Sequence, residues 1–169
     1  MQHDSWDKAS DVENVMGCMI QHSMALTIAQ LCRGNEIVPS LLAQDPDYTE
    51  VAETILTKKG FKVVGPHGAG GFAEIEDESI VISPFAAAPV KQIIADLARP
   101  VLIISTGFDV FNGNEKPLAD AESPRTRQMW LDYDVFSLPS HSDDVEICSA
   151  LKGLYLYHRR QQPLESQGA

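Results

Sequence analysis

Cysteine is scarce in this chain of 169 residues: Cys18, Cys32 and Cys148 are the only thiols, widely spaced and without a C-x-x-C pair. An odd, scattered set argues against a disulfide framework and a thiolate zinc site, and makes a reducing, cytoplasmic setting the expectation. Basic residues are also few, 13 against 24 acids, for a net charge of -11. Repulsion from that surplus disfavours nucleic acid and anionic membrane surfaces as partners. No unbroken apolar run approaches the roughly 20 residues that span a bilayer, so no membrane association is expected. The start, MQHDSWDKAS, lacks the basic flank and apolar core of a signal peptide. The five histidines, His3, His22, His67, His141 and His158, never pair at metal-ligand spacing, and no serine sits in a G-x-S-x-G elbow. Neither a metal, a cofactor nor a nucleophilic triad is expected.

What is present is a hydrophobic content of 44%, enough for one compact core. The reading is a polar leader over 1–13, a single domain over 14–160 and a flexible tail over 161–169. ENVMGCMI reads as a first strand, and SMALTIAQLC has the apolar spacing of a helix. IVPSLLAQ leads to DPDYTE, where Asp47 and Glu50 form a candidate capping box for a helix that Gly60 ends. FKVV and SIVIS are the third and fourth strands, and SPFAAAPVKQIIADL offers Ser83 as a cap and Pro89 near the helix start. RPVLIIS is a fifth strand, a nearly continuous apolar run of the kind buried on both faces of a parallel sheet.

A long polar loop follows, a candidate lid over residues 111–127, with a helix starting near Ser123 and Pro124. DVFSLP, SDDVEICSALKG and LYLYHRR then read as a strand, a short helix or turn, and a last strand. Strands alternating with helices predict a Rossmann-like, open, doubly wound α/β sheet, mostly parallel. Five core strands take the order 3-2-1-4-5, with one or two C-terminal strands beyond, at least one antiparallel.

The series VMGCMI, SMALTIAQL, AQDPDYTEVAETILTKKGFKVV, SIVISPF, VLIISTGF and ALKGLYLYHRR resembles the sensitivity-to-red-light-reduced (SRR-like) domain family over about Asn14 to Arg160. DPDYTEVAETILTKKGFKVV is the most specific piece. Departures fall at the strand ends: Met19 replaces a family glycine, Phe85 stands at a family histidine position and Thr106 at a family asparagine position. The resemblance implies the fold; family members are linked to light and clock signalling, cytoskeletal behaviour and haem metabolism, with no single chemistry. Short fungal relatives suggest, by analogy, a place in natural-product pathways.

Ligands of open α/β sheets bind outside the carboxyl ends of the strands. That edge would gather His22, Asp45, His67 and Asp109, a carboxylate and imidazole set suited to proton transfer. His22 is expected to open the first helix, whose positive terminus would keep it neutral. Around them, Met19, Ser83, Phe85, Thr106, Phe108 and Arg125 are candidate substrate contacts. Each has a plainer alternative: Asp-Pro at Asp45 is a common turn initiator, His67 suits an exposed loop, and Arg125 an exposed helix start beside Arg127. The stretch GPHGAGG contains a G-x-G-x-x-A pattern, but it follows the third strand and has Glu74, Glu76, Asp77 and Glu78 as neighbours, so a flexible crossover loop is expected rather than a phosphate cradle.

Two function classes stay open. One is a cofactor-independent acid/base enzyme, of cyclase, isomerase or lyase type, acting on a hydrophobic small molecule such as a polyketide in fungal-type specialised metabolism. The other is a non-catalytic regulatory or ligand-sensing module that acts through a protein partner. Homodimerisation is compatible with both.

Overall fold

A computed structural model describes residues 4–65, 67–86, 88–107, 122–138 and 144–161. The elements run α1 (Asp4–Gly34), β1 (Leu41–Ala43), α2 (Glu50–Lys58), β2 (Phe61–Val63), β3 (Ile80–Ser83), α3 (Val90–Leu97), β4 (Leu102–Thr106), α4 (Pro124–Trp130), β5 (Tyr133–Ser137), α5 (Val145–Leu151) and β6 (Leu154–Arg159). A 3-10 turn at Phe72–Glu74 precedes β3. The chain divides into two compact units, Met1–Glu74 with Pro139–Lys152, and Ile75–Leu138 with Gly153–Ala169.

In the first unit, β1 and β2 form a parallel pair in the register Leu41 to Phe61, Leu42 to Lys62 and Ala43 to Val63. Its core is Ala43, Leu56 and Phe61, packed with Ala25, Leu26, Leu41, Tyr48 and Val63. In the second unit, four strands take the order β3-β4-β6-β5; β3 and β4 are parallel, and β6 is antiparallel to both of its neighbours. Ile94, Ile103 and Met129 are fully buried there, with Ile104, Tyr133 and Leu154 nearly so. Trp130 of α4 stacks on Tyr157 of β6, ring centroids 4.2 Å apart.

The chain is α/β, but the expected five-stranded, mostly parallel sheet is not formed: two separate sheets, of two and four strands, stand in its place. The cause is local. Residues 14–20, read as the first strand, lie inside the 31-residue helix α1. From Asp4 to Gly34 there is no proline, Gly17 is the one interior glycine, and the β-branched residues are scattered among Met, Ala, Leu, Gln and Glu. An interior glycine costs a helix only about 1 kcal/mol, whereas a strand depends on neighbours for its hydrogen bonds. The helix also takes in residues 4–13 of the expected leader.

The apolar content of α1 exceeds what the search for unbroken apolar runs finds. Over Val15–Gly34, 20 residues, the helix is long and apolar enough to cross a membrane by length and composition, with only 6% of the window buried. Gln21, Ser23, Thr27 and Gln30 interrupt the apolar residues in the sequence, which hid this property from a search for unbroken runs.

Caps differ from the reading at two helices and agree at a third. Thr49, not Asp47, caps α2, its hydroxyl accepting from the Ala52 amide at 3.2 Å. Asp47 is unsuited because its own amide is spent on the preceding turn, donating to Asp45 Oδ1 at 2.9 Å. Gly60 follows the helix at φ 93°, a left-handed setting that favours glycine. Ser123 caps α4 in a reciprocal box with Thr126, with Pro124 behind it. Ser83 caps nothing: it is the last residue of β3, and α3 starts after Pro89 without a side-chain cap.

Candidate functional site

The β1–α2 connection builds the site in the first unit. Asp45 closes a tight turn, taking the Asp47 amide on its carboxylate, and the turn delivers Tyr48 into the cluster of Ala43, Leu56 and Phe61. From α1 comes His22, one helical turn after Cys18. Its Nδ1 lies 2.7 Å from the Cys18 carbonyl oxygen, and its Nε2 lies 2.8 Å from the Tyr48 hydroxyl. A carbonyl oxygen can only accept, so in the neutral ring Nδ1 carries the hydrogen. Nε2 then offers a lone pair, and the Tyr48 hydroxyl donates to it. The imidazole is held edge-on to Phe61, ring centroids 5.9 Å apart, and tilted against Tyr48 at 5.8 Å.

Burial pushes the Tyr48 phenol up to about 12, reinforced by the negative charges of Asp45 and Cys18. The pair is therefore a phenol held in its proton-bearing form, with its hydroxyl hydrogen-bonded to an imidazole nitrogen. Tyr133, in the second unit, is also raised to about 12 by burial, and its hydroxyl donates to the Pro100 carbonyl at 2.8 Å. Raised folded pKa values favour the neutral form, so their stabilisation is complete below pH 10 and is lost as pH rises towards 12. Absorbance of phenolate in the native protein should show Tyr48 and Tyr133 ionising near pH 12. In Tyr48→Phe the loss of stability between pH 10 and 12 should be smaller; an unchanged slope would count against the buried phenol.

Gln44, next to Asp45, explains the glycine cluster. Its Nε2 donates to the carbonyls of Gly65 and Gly68 at 3.1 and 3.2 Å, and its Oε1 accepts the Gly71 amide at 2.9 Å. A Cβ on Gly71 would lie 2.5 Å from that Oε1, and Gly68 has φ 95°. The loop expected to be flexible is thus clamped by one carboxamide, and the Gly71 amide is engaged by Gln44 rather than presented to a phosphate. Gln44→Ala should cost roughly 1–3 kcal/mol of local stability, read as faster hydrogen exchange at the Gly71 amide. Gln44→Glu, which keeps the acceptor and loses both donors, should be intermediate; equal exchange in all three proteins would remove the clamp.

The other expected site residues disperse. His67 is exposed on the clamped loop and makes no hydrogen bond among the described residues. His22 is half-buried in the middle of α1, not at a helix start, so it does not open the first helix as expected. Met19 is exposed on the same helix. Ser83, Phe85, Thr106 and Arg125 belong to the second unit, whereas His22, Asp45 and His67 belong to the first. Ser83 accepts the Ser105 hydroxyl on its carbonyl, Thr106 is 2% exposed, and Phe85 is 43% exposed at φ 52°. Such a setting is strained for a bulky residue. Arg125 is bound to Asp96 and Gln92 on the surface, the plainer of its two readings. Asp109 and Phe108 lie outside the described residues, as does most of the candidate lid.

Tyr48 and Gln44 escaped the sequence reading because each acts through a partner distant in the chain. Their signal was position, flanking Asp45 at the most specific stretch of the resemblance. Lys91 was missed as well: it lies on the core face of α3 with Val90 and Ile94, 1% exposed, at a position whose spacing is that of an apolar residue. Among the described residues no group of three or more His, Cys, Asp or Glu is placed to hold a metal ion.

These features define an α/β protein with a hydrogen-bonded tyrosine and histidine pair anchored between α1 and the β1–α2 turn. Residues 11–158 match the SRR1 domain, and the chain belongs to that family. No curated protein and no solved structure matches it.

Proposed function

We propose that this SRR1-domain protein is a cofactor-independent acid/base enzyme acting on a small, largely hydrophobic metabolite with an enolisable carbonyl, a polyketide being the natural example. The observation that carries the reading is the 2.8 Å contact between Tyr48 Oη and His22 Nε2. A base and an acid already in contact can act together on one substrate. His22 Nε2 takes a proton from a carbon beside the carbonyl while the Tyr48 hydroxyl turns to donate to the carbonyl oxygen as negative charge grows there. Return of the proton to a different carbon gives isomerisation, and attack of the enolate on a second carbonyl gives cyclisation. Phe61 supplies an apolar neighbour, and the Cys18 carbonyl holds the ring in the reactive tautomer and gains strength once the imidazole is charged.

The reading is tested by screening enolisable polyketones and cyclic ketones for thermal stabilisation, then assaying the stabilising compounds for product. His22→Gln should abolish product formation from any compound the wild type converts. Stabilisation without product across the panel would favour a ligand-sensing role instead.

A further inference from the structure

Among the described residues, strand β2 has a neighbour on one side only, β1. The Val64 amide donates to the Ala43 carbonyl at 2.9 Å, continuing the parallel ladder. Backbone groups of successive strand residues point to alternate sides, so Lys62 and Val64 face β1, and Phe61 and Val63 turn theirs to the open side; the Gly65 carbonyl, past the strand end, is taken by Gln44. Along that side runs an open groove of about 460 Å³, lined by Phe61 to Gly65 and by Glu53 and Thr57 of α2. Gly65 is exposed, with space where a Cβ would be, so another backbone can approach closely.

The edge also has a charge direction. The chain leaves α2 at Lys58 and enters β2 at Phe61, so the helix runs back along the strand. Lys58, Lys59 and Lys62 therefore cluster towards the start of β2, and Glu53 and Glu50 towards its end. A two-stranded sheet is marginal in water, and an unpaired edge is a template for another strand. A strand bearing this charge direction is complementary to itself when turned antiparallel.

We propose that β2 is a homodimer interface, pairing antiparallel with β2 of a second copy about a two-fold axis. Val63 lies opposite Val63 of the second copy and Phe61 opposite its Gly65, which joins the two pairs into one β1-β2-β2-β1 sheet. Pairing sets the basic start of each strand against the acidic end of the other. Lys62, the one charge in the strand, obstructs pairing with uncharged edges and suits this acidic counterpart. The interface is independent of the acid/base reading.

Sedimentation equilibrium of the full chain over a wide concentration range tests it. The wild type should form a dimer that dissociates on dilution and more readily at high salt. Glu53→Lys, which by symmetry turns two attractive contacts repulsive, should weaken it by about tenfold or more, and adding Lys58→Glu and Lys59→Glu to that variant should restore it. Val63→Pro, which removes an outward amide, should give a monomer with an unchanged circular dichroism spectrum. A wild type that stays monomeric, including one that takes extended peptides along β2 instead, overturns the proposal. So does a dimer indifferent to both Glu53→Lys and Val63→Pro.

Discussion

Tyr48→Phe should lower turnover of the cognate metabolite by roughly 10²- to 10⁴-fold, the usual contribution of one positioned acid or base. The substitution removes a single oxygen atom and keeps the ring in its place against the cluster of Ala43, Leu56 and Phe61, so the fold should survive. What is lost is the donor to His22 Nε2 and, in the reaction, the donor to the developing oxyanion. The loss should fall mainly on kcat, because the hydroxyl interacts more strongly with the transition state than with the ground-state carbonyl. A variant that raises KM alone would place Tyr48 in substrate binding. Asp45→Asn should have a smaller effect: its carboxylate already holds the Asp47 amide and acts on Tyr48 through charge.

Ile103→Ala should destabilise the second unit by roughly 2–5 kcal/mol, the range for emptying a buried aliphatic site. Ile103 is fully buried in β4, which has a strand on each side, and it stands opposite Tyr157 in the ladder. The Tyr157 ring is in turn covered by Trp130, so the neighbours have little freedom to close the cavity. Val135→Ala, on edge strand β5 with half of its surface exposed, should change stability by no more than about 0.5 kcal/mol. Urea unfolding followed by Trp130 fluorescence, with Trp6 replaced by Phe throughout, checks both: the midpoint should move for Ile103→Ala with the slope constant. A small shift would mean that the β4 core is less tightly packed than described.

Strand signals were legible wherever a short apolar run was bounded by turn residues. SIVIS before Pro84, and RPVLIIS before Gly107, could be placed to within about three residues because proline or glycine marks their ends. ENVMGCMI had no such boundary. Its apolar residues continue without proline into SMALTIAQL, and the same letters satisfy a helical period, so the local preference for one long helix prevailed. That one segment changed the architecture, since the order 3-2-1-4-5 places the first strand between the second and the fourth. Without it, β1 with β2 and β3 with β4 remain as parallel pairs in separate sheets.

Site residues were less legible than strands. Asp45 and His22 were singled out as candidates through their chemistry and position, but neither residue type announces its partner. The bond from Tyr48 to His22 spans 26 positions and depends on where α1 lies against the β1–α2 turn. The glycines of GPHGAGG were visible, but their reason was not. It is a glutamine 21 to 27 residues earlier in the chain, whose carboxamide needs Gly71 to lack a side chain.

The central claim, that His22 and Tyr48 form a proton-transfer pair, is tested most directly by solvent-deuterium exchange into a metabolite found to bind. In heavy water the wild type should catalyse incorporation at the carbon beside the carbonyl. Both Tyr48→Phe and His22→Gln, shown to be folded and still able to bind, should exchange near the uncatalysed rate. Incorporation at wild-type rates in both folded variants would contradict the account.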